Sequence, residues 1–561
     1  MTAPSDPATG NAARGLDLPL PQMVSMTTRD GTRLDADVYR PQGDGPWPVL
    51  LQRQAYGRKI ACTICYAHPA WYAAQGYLVI VQDVRGRGTS EGHFSPGENE
   101  AEDGAEAVEW AARLPGSDGR VAMYGFSYQA YNQLLAATAD CPSLAALMPA
   151  MGPWDPATGW VYEGGALRLK QMVGWGVQIT AEAARRAGDA LTYARLKTVG
   201  ASPPVHGVKP ARPDMLMDLG DLGHFPAWVQ RGPEHPFWQT ISPAASAERL
   251  RARQLPVFFI GGWFDTFLSA SIEAYQALAR PGDPSVRLWI GPWAHFPWQR
   301  RLAGVDFGPD AALDMDLAQI AFLDAVLKGR GTLPANETVR LFDMGANRWR
   351  DFDQFPTQGI ATYPAGGGRA ATRIGDGRIA ASPASGTEFL LHDPWRSAPA
   401  TGLCYGPVPG PADRRVTDER SDVMTFTAAP QAAPVTLSGA VSLDLDICAD
   451  MPSFDVSATL SVVKADGRVL PLCGGYRHLR QPPDAPVAIF MDATCVTLLP
   501  GEAIRLSIAA SDFPAHPVNP GTGADPSDAS AAEALITTLR LTLGPASVLH
   551  LPVESGELAL S

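Results

Sequence analysis

The chain has 561 residues, which is too long for a single hydrophobic core, so two or three domains are expected. It carries 45 Lys and Arg residues against 58 Asp and Glu residues, for a formal net charge of -13 at pH 7. An acidic chain without a basic cluster is not suited to neutralising phosphates, which argues against nucleic acid and membrane surfaces as partners. No apolar stretch reaches the roughly 18 residues that a membrane-spanning helix needs.

Residues 1–20 predict a loose N-terminal tail and no signal peptide, because they have neither a basic start nor an apolar core. The seven cysteines are scattered and odd in number, which suits a reducing compartment better than a disulfide framework, so we expect a cytoplasmic protein. Cys62 and Cys65 have the spacing of a redox or half-zinc motif. No second Cys/His pair of matching spacing follows, which favours two ordinary loop thiols.

Residues 21–152 alternate strand-like and helix-like segments, which predicts the first part of an α/β core with a parallel sheet. A hairpin is indicated within Val24–Tyr39, followed by buried strands at Trp47–Gln52 and Tyr77–Asp83. Ala101–Arg113, rich in Ala and Glu, predicts a crossover helix.

An apolar run that starts at Val121 ends in Gly125-Phe-Ser127 and leads into a helical stretch at Ala130–Ala139. This pattern is typical of a nucleophile elbow, a tight strand-to-helix turn that holds a serine hydroxyl clear of the backbone. The tripeptide alone is weak support, since it occurs by chance in most chains of this length. Ser127 is therefore a candidate nucleophile that needs further partners.

Three kinds of sequence follow the elbow. Residues 153–250 lose the strand pattern and predict an inserted helical cap, with helical stretches at Leu167–Trp175 and Ile179–Ala187. Residues 251–335 return to strand and helix alternation, which predicts the second part of the core, ending in a helix at Asp314–Leu327. Residues 336–561 predict an all-β sandwich. Its strands are indicated at Val435–Leu445, Asp455–Val463, Val487–Asp492 and Ala503–Ala509.

Two later segments supply the partners that a serine nucleophile needs. Leu255–Asp265 is a buried-strand run with a carboxylate just past its end, and Val286–His295 repeats this layout with a histidine. Reactive groups of open α/β sheets lie beyond the carboxyl ends of the strands. Singly, Asp265 could cap a turn and His295 could be an ordinary loop histidine. Jointly, the order Ser127, Asp265, His295 predicts the catalytic triad of an α/β-hydrolase.

The sequence also resembles the bacterial cocaine esterase and X-prolyl dipeptidyl peptidase superfamily of serine hydrolases over nearly its whole length. The resemblance rests on stretches at residues 82–94, 123–128, 164–167, 262–265, 291–295 and 342–350. The family implies an α/β-hydrolase core with an inserted helical cap and a C-terminal jelly-roll-like sandwich. This fold class, α/β with an added all-β domain, agrees with the division drawn from composition. The family's elbow carries a glycine where this chain has Ala130.

The resemblance further implies an oxyanion hole and an acyl pocket. The hydroxyl of Tyr56 and the backbone N–H of Tyr128 would stabilise the oxyanion, and Trp160, Trp175 and Phe267 would line a pocket for an aromatic or bulky acyl group. Without the family match, Tyr56 would be a turn aromatic, and the two tryptophans would equally well be core residues of the cap.

These observations predict a serine hydrolase that cleaves carboxylic esters through an acyl-enzyme on Ser127, without metal or organic cofactor, by a chemistry that also permits amide cleavage. The expected partner is a small-molecule ester or amide, and a homo-oligomer is left open. An X-prolyl or aminoacyl peptidase, an α-amino acid ester hydrolase or an acylase is the main alternative. It is weakened because Glu163 is the only acidic residue in the cap stretch 158–165. An acyltransferase with the same triad and an inert binding protein are the remaining alternatives.

Overall fold

The computed structural model describes residues 19–200, 205, 211–219 and 222–560. The predicted tail at residues 1–20 therefore lies almost wholly outside the described residues. The described chain forms a mixed, mainly parallel α/β sheet with helices, and a separate all-β region follows it. The predicted fold class is confirmed. No helix in the part of the chain that the structure describes is both long and apolar enough to cross a membrane.

The strands are numbered in chain order. They are β1 Gln22–Thr27, β2 Arg33–Tyr39, β3 Trp47–Gln54, β4 Leu78–Asp83, β5 Ser117–Phe126, β6 Leu144–Ala150, β7 Tyr162–Glu163, β8 Ala166–Leu167, β9 Val257–Phe264, β10 Val286–Ala294, β11 Arg301–Leu302, β12 Val305–Asp306, β13 Val339–Asp343, β14 Arg348–Phe352, β15 Ile360–Ala365, β16 Gly377–Ala380, β17 Gly386–His392, β18 Val423–Thr427, β19 Val435–Ala449, β20 Phe454–Val463, β21 Val469–Leu479, β22 Val487–Leu498, β23 Ala503–Ala509, β24 Thr537–Leu543, β25 Val548–Leu551 and β26 Val553–Ser555.

The α-helices are numbered in the same way. They are α1 Pro69–Ala74, α2 Glu100–Ala112, α3 Tyr128–Thr138, α4 Pro156–Gly159, α5 Leu169–Arg186, α6 Ala190–Gly200, α7 Asp214–Met217, α8 Phe225–Arg231, α9 Phe237–Thr240, α10 Ala247–Ala252, α11 Leu268–Leu278, α12 Met315–Lys328 and α13 Arg415–Asp418. Short 3-10 turns lie at Ala244–Ser246, Pro309–Ala311, Ala335–Glu337, Pro394–Arg396 and Ala531–Glu533.

The central sheet has the strand order β1-β2-β4-β3-β5-β6-β9-β10-β13-β14 within the described residues. The strands from β4 to β13 pair in parallel, and the two edges of the sheet pair antiparallel. Inner strands such as β4, with the sequence LVIVQD, are buried along their whole length because helices cover both faces. One face packs against α2, α3 and α11, and the opposite face packs against α1 and α12.

The predicted hairpin at Val24–Tyr39, the strands near Trp47 and Tyr77 and the crossover helix all form close to their expected positions. The predicted last helix is α12. It starts where the Asp314 side chain accepts a hydrogen bond from the Leu317 amide and ends at Gly329, which has a left-handed φ of 63°.

The structure departs from the sequence analysis in three places. The two helical stretches predicted in the cap are one continuous helix, α5. The cap also contains the short antiparallel pair β7 and β8, in a region where we expected no strands. The central sheet continues past residue 335, because β13 pairs with β10 and β14 pairs with β13. The change in composition at residue 335 therefore comes before the last strands of that sheet.

The C-terminal strands from β15 onward form a sheet system of twelve strands among the described residues, with their own hydrophobic core. All four strands predicted there are present, and β19 and β22 are several residues longer than expected. Strand β21 contacts the β7–β8 pair and also β9, so this region lies against both the cap and the central sheet.

Candidate active site

Ser127 lies on a strained turn between β5 and α3. Its φ of 62° and ψ of -119° are rarely adopted by a residue with a side chain. The turn is also crowded: a Cβ on Gly125 would lie 2.3 Å from the Cβ of Gln129, and one on Gly152 would lie 2.6 Å from the Cβ of Ala130. Glycine is therefore required at both positions. The methyl group of Ala130 is accommodated by Gly152.

The structure brings Ser127, His295 and Asp265 into one chain of hydrogen bonds. Nε2 of His295 lies 3.0 Å from Oγ of Ser127, and Nδ1 of His295 lies 2.6 Å from Oδ2 of Asp265. The Phe267 amide donates to the other oxygen of Asp265 at 2.8 Å. The three residues follow β5, β9 and β10, whose carboxyl ends meet at the same edge of the parallel sheet. The Asp265 side chain is 0% exposed, and that of His295 is 33% exposed.

Two candidate hydrogen-bond donors, the Tyr56 hydroxyl and the Tyr128 amide, belong to residues that line the same cavity as the serine. The Trp175 ring nitrogen donates to the Tyr56 hydroxyl oxygen at 3.2 Å, which leaves the Tyr56 O–H free to donate to another group. Burial raises the pKa of Tyr56, so this hydroxyl stays protonated. Tyr128 is the first residue of α3, where a backbone N–H has no acceptor within the helix and the helix dipole favours negative charge.

The side chain of Tyr128 has a structural task that is separate from its amide. Its hydroxyl donates to Glu100 at 3.0 Å and accepts from the Gly97 amide at 3.1 Å. Glu100 is in turn paired with the buried Arg53. The start of α3 is thereby fixed to α2 and β3.

The three residues predicted for an acyl pocket form an aromatic cluster next to the histidine. The rings of Trp160 and Trp175 are 4.7 Å apart, and Phe267 lies 6.4 Å from Trp160 and 5.6 Å from His295. Trp160 and Phe267 are buried and Trp175 is half-buried. The ring of Trp175 also stacks on the ring of Trp228 in α8, with the ring centres 5.0 Å apart, and this contact holds Trp175 in place.

Seven of the eight residues that the sequence singles out line one cavity of about 620 Å³, and the eighth, Asp265, is hydrogen-bonded to His295 and does not reach the cavity. The cavity is lined by apolar and amide side chains together with Arg168 and Lys170. No Asp or Glu among the described residues lines it. Its further polar lining residues are Gln52, Gln54, Gln129, Gln171, Gln178, Gln299, Thr266 and Tyr405.

Glu163, the acidic residue noted in the cap, is held in a buried cluster behind the cavity. Its carboxylate lies 3.2 Å from Nε of Arg168 and 3.4 Å from Nε2 of His516, and it accepts a hydrogen bond from Tyr405. Burial opposes its ionisation, but Arg168 and His516 outweigh burial and lower the pKa of Glu163 to about 2. This carboxylate is already neutralised by protein groups.

Both cysteines of the Cys62/Cys65 pair line the cavity as free thiols. Burial raises the pKa of both, to about 11 for Cys62, which keeps them protonated and unreactive at neutral pH. No cluster of His, Cys, Asp and Glu suitable for a metal ion occurs in the described part of the chain.

Sequence reasoning missed the polar contacts that join the cap to the triad. Arg168 donates to the backbone and hydroxyl oxygens of Thr266, the residue after Asp265, and Thr266 donates to Gln171 at 2.6 Å. The hydrogen bond from Trp175 to Tyr56 is of the same kind. Each of these hydrogen bonds joins residues about 100 positions apart in the sequence, so no local sequence pattern predicts it.

Two family signatures match the sequence. X-Pro dipeptidyl-peptidase (S15 family) matches residues 30–297, and the X-Pro dipeptidyl-peptidase C-terminal non-catalytic domain matches residues 334–548. Cocaine esterase from Rhodococcus sp. (strain MB1 Bresler) is 32% identical over 566 residues, covering 94% of this chain and 97% of that protein.

Solved structures share the fold along nearly the entire chain. An aminopeptidase from a marine sediment archaeon, Thaumarchaeota archaeon, superposes with a TM-score of 0.78 at 20% identity, covering 99% of both chains. An α-amino acid ester hydrolase superposes with a TM-score of 0.73 at 20% identity, covering 95% of this chain and 96% of the other. At this level of identity the superpositions establish the shared architecture.

Proposed function

Since the chain belongs to the S15 family of X-Pro dipeptidyl-peptidases and the related cocaine esterase-like serine hydrolases, we propose that it cleaves carboxylic esters with a hydrophobic or aromatic acyl group. The observation that carries the proposal is the hydrogen-bond chain from Asp265 through His295 to Ser127, which ends at an aromatic-lined cavity. A cavity of about 620 Å³ suits a small-molecule ester.

In the first half of the reaction, His295 accepts the proton of the Ser127 hydroxyl as Oγ attacks the ester carbonyl carbon. The buried Asp265 holds His295 in the tautomer whose Nε2 can accept that proton and stabilises the resulting imidazolium. Negative charge develops on the former carbonyl oxygen, where the Tyr56 hydroxyl and the Tyr128 amide donate to it. His295 then gives its proton to the departing alkoxide, which leaves as the alcohol, and the acyl group remains on Ser127.

In the second half, a water molecule takes the place of the alcohol. His295 accepts a proton from this water as its oxygen attacks the acyl carbon, and the same two donors stabilise the second oxyanion. The bond to Oγ breaks, His295 returns the proton to Ser127, and the carboxylic acid leaves. The net reaction consumes one ester and one water and releases one acid and one alcohol.

The lining of the cavity favours an ester hydrolase over an enzyme that recognises a free amine. An ammonium group that leaves water needs a carboxylate partner, because an unpaired buried charge is costly. The described residues that line the cavity include no carboxylate, and Glu163 behind them is already paired with Arg168. Flat rings at Trp160, Trp175 and Phe267 instead suit an aromatic acyl group by burial and edge or face contact.

The test is turnover of a matched panel by the wild type and by Ser127→Ala. The panel holds acetyl, butyryl and benzoyl esters of one aryl alcohol, the corresponding anilides, and aminoacyl and X-prolyl anilides. We expect benzoyl and butyryl esters to be preferred and their turnover to be lost in Ser127→Ala. Ser143→Ala, which alters a serine at the start of β6 outside the cavity, should remain active and serves as the control.

Each remaining outcome identifies an alternative. Preference for substrates with a free amine would move the protein to the peptidase or amino acid ester hydrolase branch. Turnover that survives Ser127→Ala would overturn the proposed nucleophile. A primary alcohol added at millimolar concentration distinguishes a hydrolase from an acyltransferase, because a transferase would form the ester of that alcohol in preference to the acid although water is in large excess.

A further inference from the structure

The charged residues of the cavity differ in how completely the protein neutralises them. Arg168 has a counter-charge within the protein: its Nε lies 3.2 Å from the carboxylate of Glu163, and one of its terminal nitrogens donates to Thr266 and to the Gly159 carbonyl. Its positive charge is therefore balanced within the protein, and its donors are directed at the loop that carries Asp265.

Lys170, two residues away, has no such balance. Its ammonium group donates to the carbonyl of Gly406 at 2.7 Å and lies 3.4 Å from the carbonyl of Tyr405, and no carboxylate among the described residues pairs with it. An ammonium group has three donors, so one stays available. Lys170 is half-buried, and this burial lowers the pKa of its ammonium group.

The position of Lys170 fits recognition of a substrate group. It lies in the first turn of α5, a helix of 18 residues whose N-terminal end also favours negative charge. Lys170, Gln171, Gly174, Trp175 and Gln178 line the cavity from this one helix. Trp175 lies five positions after Lys170, a rise of about 7.5 Å along the helix axis. Trp175 in turn contacts Tyr56, beside the proposed reaction centre.

We propose that Lys170 determines specificity by pairing with a carboxylate on the substrate, so that the enzyme prefers esters bearing a negative charge away from the scissile bond. This inference rests on the proposed ester hydrolase function. The same chemistry is available from two sources, a second carboxylate on the acyl group or one on the alcohol. A dicarboxylic acid monoester represents the first source, and an ester of a hydroxybenzoic acid represents the second.

The test compares each anionic ester with its neutral isostere. For the acyl source, the pair is an aryl monoester of terephthalic acid and the same ester of terephthalamic acid. For the alcohol source, the pair is 4-carboxyphenyl benzoate and 4-carbamoylphenyl benzoate. We expect kcat/KM for the carboxylate member of one pair to exceed that of its amide by about tenfold, as is typical of a charge-assisted hydrogen bond.

Lys170→Met keeps the length of the side chain and removes the charge, so it should bring this ratio close to one. Lys170→Arg should retain most of the preference. The matched control is Lys197→Met, which removes an exposed lysine of the cap outside the cavity and should leave the ratio as in the wild type. The thermal unfolding midpoint of each variant, compared with that of the wild type, demonstrates that the variant is folded.

A wild-type ratio near one in both pairs would overturn the inference, as would a ratio that Lys170→Met does not alter. Competitive inhibition by terephthalate, compared with terephthalamide, gives a readout independent of turnover: it should weaken about tenfold in Lys170→Met and not in Lys197→Met. Failure of the proposed function is a separate outcome. It would appear as neutral esters that are not hydrolysed, or are hydrolysed without Ser127.

Discussion

Among the histidine–aspartate pairs of the described residues, one in the central sheet and one in the C-terminal sheet have nearly equal geometry. In the central sheet, Nδ1 of His295 lies 2.6 Å from Asp265, and in the C-terminal sheet, Nδ1 of His478 lies 2.7 Å from Asp455. The surroundings differ. The side chain of His295 is 33% exposed and its Nε2 faces Ser127, whereas that of His478 is 4% exposed and its Nε2 has no partner among the described residues.

The acids of the two pairs differ as well. Asp455 also accepts hydrogen bonds from Tyr476 at 2.6 Å and Asn519 at 2.8 Å, so it is the centre of a buried network that holds β20, β21 and a later loop together. Asp265 is bound by His295 and by the amide of Phe267. A hydrogen-bonded aspartate orients a histidine ring in both regions. We propose that two further features make the His295–Asp265 pair catalytic. These are the serine on a strained turn beside it and the cavity in front of it.

The largest contrast is expected from replacing each histidine by glutamine. His295→Gln should lower kcat for a benzoyl ester by roughly 10⁵-fold or more, because the general base is lost. His478→Gln should leave kcat within a few-fold of the wild type and lower the thermal unfolding midpoint instead. Steady-state kinetics and thermal unfolding of the two variants test this contrast. Equal loss of activity in both would contradict it.

Replacing the aspartate of each pair should give a smaller loss of kcat than replacing the histidine, and this loss should again be confined to the pair in the central sheet. Asp265→Asn should lower kcat by roughly 10⁴-fold near neutral pH, because the amide favours the wrong tautomer of His295. Asp455→Asn should lower the free energy of unfolding by about 1–3 kcal/mol, since it disturbs a buried network, with little change in kcat. Urea denaturation alongside kinetics separates the two effects. A large kcat effect in Asp455→Asn would show that the C-terminal network reaches the site.

The hydrogen bond from Trp175 to Tyr56 connects the cap to the reaction centre, and a variant at each end tests what each residue contributes. Tyr56→Phe should lower kcat by roughly 10²- to 10³-fold through loss of an oxyanion donor. Trp175→Phe keeps an aromatic ring but loses the N–H that positions Tyr56, so kcat should fall by about tenfold or less. Kinetics of both variants and of the double variant provide the measurement. If Trp175→Phe is as damaging as Tyr56→Phe, the ring of Trp175 itself contributes more than its hydrogen bond.

The smallest effect is expected from pH and belongs to the C-terminal region. Burial lowers the pKa of His516, but Asp512 at 2.9 Å and Glu163 outweigh burial and raise it to about 9. The folded protein therefore retains a proton that the unfolded chain releases near pH 6.5. The stabilisation is complete below about pH 6.5 and is lost as the pH rises through about 9, on the order of 1–3 kcal/mol.

The measurement is urea denaturation of the wild type and His516→Gln between pH 6 and pH 10. The wild type should lose stability over this range, and the variant should show a flatter profile. A wild-type stability that rises with pH would contradict the assigned charge of His516.

The architecture could be predicted well from sequence where a single local pattern decides it. Continuous apolar runs gave the buried strands near Tyr77 and Val257, and the strand-end positions of Ser127 and His295 predicted that these side chains meet. Composition failed at β13 and β14, because a strand that completes a sheet looks the same as a strand that begins a new domain. Gly176 lies between the two predicted stretches and lowers helix propensity locally, yet α5 runs through it without a break.

Within the site, the sequence indicated which residues are reactive. It did not indicate the cap contacts that hold those residues in position. The Arg168–Thr266 and Trp175–Tyr56 contacts depend on how the cap folds onto the sheet, and that is set by tertiary packing. Lys170 illustrates the same limit: its importance lies in the partners that surround it, and these come from α5 and the loop at residues 405 and 406.

The central claim is most directly tested by trapping the nucleophile. Wild-type protein would be treated with diethyl 4-nitrophenyl phosphate, and the site of phosphorylation would be found by peptide mass spectrometry. We predict a diethylphosphoryl group on Ser127, release of an equal amount of 4-nitrophenol, strongly slowed labelling in His295→Gln and unchanged labelling in His478→Gln. Label on another residue, or undiminished labelling of Ser127→Ala, would contradict the account.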